Sequence, residues 1–270
     1  MQDLEAYFRR IGYGGPRAPT LATLRALQGC HALAIPFENL DCVAGRAVRL
    51  DVRSLEEKLV AAGRGGYCFE QNLLFAHVLD ALGFDVTALA ARVLWDRSSG
   101  EVGARTHMLL LVTLPEGRYL CDVGFGGLTP TAPLSLDSSG EQPTPHETFR
   151  VAPSGAELLV EACVAGEWRP LYRFDLQPQR QVDIEDLNFY VAYHAESPMR
   201  GRLMAARAAP DRRLALRDGA FTVHHLDGRR EQRRLETVAE LRDVLGGAFG
   251  IALPADPALD AALERLIGKP

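Results

Sequence analysis

Apolar positions in the first 84 residues recur at helical spacing. Asp3 stands where it can cap a short helix that ends near Gly12. Leu21, Leu24 and Leu27 share one helical face, and that pattern stops before Pro36. Ser54 followed by Glu57 predicts a capping box, with Gly63 as the helix stop. After Gly63-Arg64-Gly65-Gly66 the chain predicts a helix from Cys68 to Leu82. Its apolar positions Leu74, Val78 and Leu82 keep to one face, and Gly83 follows.

The period then shortens. Val86 to Trp95, Thr106 to Leu114, Tyr119 to Gly124 and Thr148 to Val151 read as strands separated by Gly, Pro and Ser turns. Glu157 to Val164 and Arg169 to Phe174 continue the pattern, which predicts an antiparallel sheet or barrel. Pro130 to Pro145, rich in Pro, Ser and Thr and without a period, predicts a long loop. A helical stretch with Ile184, Leu187 and Val191 starts near Asp183. Strands at Arg213 to Leu216 and Ala220 to His225 follow, joined by Asp218-Gly219, and a last helical region begins near Thr237. The order is helices, then strands, then a mixed end, an α+β arrangement with no internal repeat.

Composition narrows the class. At 270 residues the chain buries a sizeable core without disulfide or metal staples. With 47% hydrophobic and 24% charged residues it is neither a disordered tail nor a collagen-like fibre. Lys and Arg number 30 against 35 Asp and Glu, a net charge of −5, which does not fit a broadly basic nucleic-acid binder. The start, MQDLEAYFRR, lacks the pattern of a signal peptide. No apolar run approaches the roughly 18 residues of a membrane span, so a cytoplasmic location without membrane contact is expected. The five cysteines, at 30, 42, 68, 121 and 163, include no CxxC pair, so thiols are expected and no metal site.

One cysteine stands apart. In Arg64-Gly65-Gly66-Tyr67-Cys68-Phe69-Glu70-Gln71-Asn72, Cys68 opens a helix after a glycine-rich loop. The positive end of the helix dipole favours a thiolate there. Glycines leave room for an approaching ligand, and the free N–H groups of the first turn suit a developing oxyanion. A helix stop followed by a buried structural cysteine accounts for the same spacing.

A thiolate needs a base and a group to orient it. His107 starts the apolar strand Met108 to Val112, a rigid mount at a core edge. Asp122 lies in the apolar run Tyr119 to Gly124, where a carboxylate requires a partner such as an imidazolium. A backbone-bonded histidine and an arginine-paired aspartate are the alternatives. The other histidines fit less well. His77 is expected in the helical core and His146 in a loop, while His224 and His225 should point to opposite faces of a strand. Cys30 and Cys42 lack a glycine-rich approach, and Cys121 should point away from Asp122. Gly124-Phe125-Gly126-Gly127 lacks the Lys-Ser/Thr of a phosphate-binding loop.

Taken in order, Pro36-Phe37-Glu38-Asn39-Leu40, Arg64-Gly65-Gly66-Tyr67-Cys68-Phe69-Glu70, Thr106-His107 and Asp122-Val123-Gly124-Phe125-Gly126 strongly resemble the arylamine N-acetyltransferase family. The resemblance covers residues 30 to 130. It implies a papain-like architecture: a helical bundle over 1–84 with the nucleophile, a β-barrel over 85–182 with the His and Asp, and an interdomain helix with an α/β lid over 183–270. It implies Cys68 as nucleophile, His107 as base and Asp122 as orienting acid. It further implies Glu38 and Arg64 as structural partners, Phe37 and Phe125 as acceptor-pocket walls, and Thr106 and Gly126 beside the coenzyme.

The activity implied is acetyl transfer from acetyl-CoA, a co-substrate rather than a resident cofactor, to the nitrogen of arylamines, arylhydrazines or hydrazides. The implied route is ping-pong through an acetyl-cysteine thioester. A macrolactam-forming amide synthase of the same family and a transglutaminase-like hydrolase would use the same triad order.

Overall fold

The computed structural model describes residues 3–96 and 103–267. The N-terminal part is helical: α1 (Leu4–Ile11), α2 (Leu21–Ala34), a two-residue strand β1 (Phe37–Glu38), α3 (Leu40–Val43), α4 (Val52–Leu55) and α5 (Cys68–Ala81). Asp3 caps α1 by accepting from Ala6 N at 2.8 Å, and Gly12 ends that helix in the left-handed region at φ 67°. The Ser54–Glu57 expectation is corrected. The cap of α4 is Asp51, which accepts from Ser54 N at 3.0 Å and Ser54 Oγ at 2.8 Å. The helix then widens into a π-helical turn, Glu56–Ala61, before Gly63 stops it.

Next come β2 (Asp85–Val93), β3 (His107–Leu114), β4 (Gly117–Cys121), β5 (Leu134–Ser135), β6 (Gln142–Pro143), β7 (Thr148–Ser154), β8 (Glu157–Val164) and β9 (Glu167–Phe174). They form one antiparallel sheet in the order β5-β4-β3-β2-β9-β8-β7-β6, and β5 returns against β7 to give a nearly closed barrel. The segment expected as a bare loop, 130–145, therefore supplies two short strands. The Gln142 side chain does part of the pairing: it accepts from Ser135 N at 2.6 Å and donates to Ser135 O at 2.9 Å. A side chain standing in for backbone leaves no periodic trace.

Strand β3 is buried on both faces, which is why Met108 to Val112 is continuously apolar. Met108, Leu110, Val112 and Leu114 pack on the helices, whereas Leu109 and Leu111 face the barrel interior with Leu89, Leu171 and Phe174. His107 sits at the end of this strand, where barrel and helices meet.

The remainder comprises α6 (Gln181–Tyr193), α7 (Pro198–Gly201), β10 (Met204–Ala209), β11 (Arg212–Arg217), β12 (Ala220–His225), β13 (Arg230–Arg234), α8 (Val238–Gly247) and α9 (Pro257–Ile267). A second antiparallel sheet has the order β1-β10-β11-β12-β13. The alanine-rich β10 and the wholly exposed β13, Arg-Glu-Gln-Arg-Arg, carry no apolar alternation and had no signal in the sequence. Thr237 caps α8, accepting from Glu240 N at 3.2 Å. No helix among the described residues is long and apolar enough to cross a membrane.

Candidate active site

Cys68 is the first residue of α5, and the capping is unusual. Tyr67 precedes the helix, and the Glu70 carboxylate reaches back to accept from Tyr67 N at 3.1 Å. The loop before it is pinned to β1: Gly66 N donates to Pro36 O at 3.3 Å, and Glu38 N donates to Gly66 O at 3.1 Å. This changes the reason for the glycines. A Cβ on Gly65 would lie 2.2 Å from Pro36 O, so Gly65 is required by backbone packing rather than by ligand access. A Cβ on Gly124 would lie 2.7 Å from Cys68 Cα, so the nucleophile's backbone and the 124 loop are in contact.

The three chemical side chains converge. His107 Nε2 and Asp122 Oδ2 are 2.7 Å apart, with both residues almost wholly buried. Cys68 lies close enough to His107 to influence its charge, and its thiol donates to the carbonyl of the preceding residue, Thr106, at 3.7 Å. With Nε2 committed to Asp122, Nδ1 is the ring nitrogen left for sulfur. Cys68 is 4% exposed, at the floor of the site rather than on the surface. Asp122 was expected inside a strand, but β4 ends at Cys121. Its Oδ1 instead accepts from Gly124 N at 2.9 Å and Asn72 Nδ2 at 3.1 Å, turning the chain out of the sheet.

Electrostatics follow from these contacts. Burial alone would lower the His107 pKa, but the Asp122 charge and hydrogen bond, helped by Cys68, push it up to about 10. Burial opposes the Asp122 charge. His107 and the hydrogen bonds from Gly124 and Asn72 overcome it and hold the carboxyl below its usual range. The pair is therefore an imidazolium and a carboxylate.

The aromatic surroundings are in place as well. Phe125 meets the His107 ring edge-on at 5.3 Å between centroids, and Tyr172 packs at 4.9 Å. A Cβ on Gly126 would touch the Phe37 ring at 3.5 Å, so these two residues pack against one another. Thr106 contributes its carbonyl to Cys68. Glu38 and Arg64 form a buried pair: Arg64 Nε donates to Glu38 Oε1 at 2.8 Å, and its Nη2 donates to Asp41 Oδ1 at 3.2 Å. Lys58 Nζ bridges Asp41 Oδ2 and Glu70 Oε1, each at 2.6 Å.

Two site residues escaped the sequence. Asn72 lies one turn after Cys68, so a polar residue at that spacing in an apolar helix was a usable signal. It donates to Asp122 and to Met108 O at 2.8 Å, and accepts from Val123 N at 3.0 Å. Tyr172 offered no signal. Its buried hydroxyl lies beside Asp122 without meeting hydrogen-bond geometry, and burial together with Asp122 raises its pKa well above the usual value.

The remaining candidates lie elsewhere. His77 is half-buried on α5, and His225 pairs with Glu231 at 2.8 Å. His146 joins the Thr131 hydroxyl to Ala209 O. All five cysteines are free thiols, and burial pushes Cys42 up to about 12.

A family model described as N-acetyltransferase matches residues 20–258. An arylamine N-acetyltransferase of Mycolicibacterium smegmatis is 41% identical over 93% of this chain and 92% of its own length. One from Escherichia coli is 44% identical over 93% and 89%. Among solved structures, the Mycobacterium marinum arylamine N-acetyltransferase superposes with a TM-score of 0.95 at 40% identity, covering 98% of this chain and all of that one. A structure of the Mycobacterium marinum enzyme in complex with CoA gives 0.94 at 40% identity, over 98% and 99%. The convergent Cys, His and Asp, the matched model and these near-full-length relatives agree: the chain belongs to the arylamine N-acetyltransferase family of acyltransferases.

Proposed function

We propose that this enzyme transfers the acetyl group of acetyl-CoA to the nitrogen of arylamines, arylhydrazines or hydrazides through a thioester on Cys68. The observation that carries the proposal is the buried His107–Asp122 pair, 2.7 Å apart, set beside a cysteine that opens α5 and bonds the carbonyl of the residue before that histidine. The relative solved with CoA supports acetyl-CoA as donor. Thr106 and Gly126 are assigned to the coenzyme side of the site, and Phe37 and Phe125 to the acceptor side.

In the first half-reaction the Cys68 thiolate, with the imidazolium as counter-ion, attacks the thioester carbonyl. The oxyanion is met by N–H groups at the start of α5, Cys68's own included. The C–S bond to CoA breaks, and His107 gives its proton to the departing CoA thiolate. In the second, neutral His107 takes a proton from the attacking amine, the C–N bond forms, and the Cys68 thiolate leaves. Exchange of one thioester for another is nearly balanced, so the acyl group stays activated for nitrogen.

Phe37, Phe125 and Tyr172 make the approach apolar, which limits hydrolysis of the intermediate. Arylamines are neutral near pH 7 and suit such a pocket. An alkylammonium must first lose both water and a proton.

Incubation with acetyl-CoA and no amine, followed by peptide mass spectrometry, tests the proposal. One acetyl group is expected on Cys68, and adding an arylamine should remove it. Acetylation elsewhere only, or turnover retained in Cys68→Ala, would overturn it.

A further inference from the structure

Arg213 lies on β11 of the C-terminal sheet, far from Cys68 in sequence, and is 4% exposed. Its Nε donates to Glu147 Oε1 at 2.7 Å. Its Nη2 donates to the other Glu147 oxygen and to the Thr129 carbonyl, the latter at 3.0 Å. A buried ion pair of this kind seldom adds stability over an apolar filling, so its geometry calls for a different explanation.

The contact leads to the site in two steps. Thr129 Oγ1 accepts from Gly126 N at 2.8 Å and donates to Gly126 O at 3.0 Å, and Thr129 N donates to the same carbonyl at 3.2 Å. That closed turn fixes Gly126, at φ 96°, beneath the Phe37 ring, and holds Phe125 edge-on against His107. A second tie runs beside the first: His146 Nε2 donates to Ala209 O at 2.7 Å, while its Nδ1 meets Thr131 Oγ1 at 3.1 Å. The loop bearing Phe125 is thus fastened to the C-terminal sheet from behind.

We infer that Arg213 is a positioning residue for the amine: from β11 it sets the 124–129 turn and with it the Phe125 wall of the acceptor pocket. The inference rests on the acetyl-transfer reading above. Lysine cannot replace it, because one ammonium lacks the planar fork that spans a carboxylate and a carbonyl together.

The two half-reactions separate this role from a general structural one. In Arg213→Lys, acylation of Cys68 at saturating acetyl-CoA should stay within about twofold of wild type, while the amine KM of the second step rises about fivefold or more. Thr129→Val, which unfastens the same turn without touching the sheet, should raise the amine KM in the same way, and Thr129→Ser should restore it. If Arg213→Lys does not fold, Glu147→Gln, which frees the same guanidinium, carries the same KM expectation. A folded Arg213→Lys with an amine KM within about twofold of wild type, or an equal fall in both half-reactions at unchanged KM, would overturn the inference. Failure of wild-type protein to acetylate Cys68 is a different result. It would bring down the acetyl-transfer reading, and this inference with it.

Discussion

Replacing Asp122 by Asn changes one atom and should disable acylation. In the wild type, Oδ1 accepts from Gly124 N at 2.9 Å and Asn72 Nδ2 at 3.1 Å, while Oδ2 faces His107 Nε2 at 2.7 Å. Asparagine has one oxygen to offer. Two donors converge on the Oδ1 position, so the amide oxygen belongs there and the NH₂ group turns toward His107. Nε2 must then accept, which moves the ring proton to Nδ1, the side facing sulfur. An imidazole with its proton on that side cannot take one from Cys68. The opposite amide orientation leaves two buried donors facing an NH₂ group, at roughly 1–3 kcal/mol each.

The size of the effect follows from the His107 environment. Its pKa stands at about 10 against an ordinary 6.5, roughly 5 kcal/mol in favour of imidazolium at about 1.4 kcal/mol per unit. Without Asp122, only the weaker contribution of Cys68 opposes burial, so most of that bias is lost. Loss of about 4 kcal/mol of that bias from the acyl-transfer step is about a 10³-fold fall in rate. Quenched-flow acylation of Cys68 by acetyl-CoA, read by intact-protein mass spectrometry, measures it directly. Iodoacetamide alkylation of Cys68 should slow in parallel, and thermal unfolding should confirm that the variant is folded. An acylation rate within about threefold of wild type would refute the tautomer reasoning.

Glu70 is buried, and desolvation raises its pKa to about 7 despite Lys58. A carboxyl whose folded pKa is raised favours folding while protonated, so its contribution declines as pH climbs from 4.5 to about 7. Glu70→Gln removes that decline. Relative to wild type it should therefore gain up to about 3 kcal/mol across this window in urea unfolding, and a constant difference would count against it. Tyr172→Phe removes a buried hydroxyl that makes no regular hydrogen bond. Its unfolding free energy should be unchanged or about 1 kcal/mol higher, and a loss beyond about 2 kcal/mol would show that the hydroxyl has a partner after all.

The parts of this molecule legible in its sequence are those encoded locally. Cys68 could be placed at a helix start because a helix leaves a 3.6-residue period and a glycine stop before it. His107 could be placed at a strand end because β3, buried on both faces, leaves a continuous apolar run. What brought the two together was legible only as a family resemblance, since no local rule places Asp122 against a ring 15 residues earlier. The misses share a cause. The two strands of 130–145 are two residues each and are tied to one another by the Gln142 side chain, β10 is alanine-rich, and β13 is polar throughout, so none of them shows alternation. Tyr172 acts through packing across strands, which sequence spacing does not record.

The charges behind the Gly63–Tyr67 loop bear on the same problem of placement. Glu38, Asp41 and Glu70 meet Lys58 and Arg64 in a nearly dry interior, and Arg46 reaches Asp41 from the rim at 3.6 Å. An apolar filling would be about as stable. It would not, however, choose a register. Glu38 belongs to β1, Asp41 to α3, Lys58 to the π-helical turn and Glu70 to the helix that bears Cys68, so each pairing fixes one element against another. The loop they surround lies outside helix and sheet, yet it must deliver a sulfur to a ring mounted on a different sheet. Directional contacts do this where hydrophobic contacts, indifferent to small slides, cannot. Removing one partner leaves a buried charge seeking water, and the first thing to move is the start of α5. Damage to this cluster should therefore appear as a misplaced nucleophile before it appears as an unfolded protein.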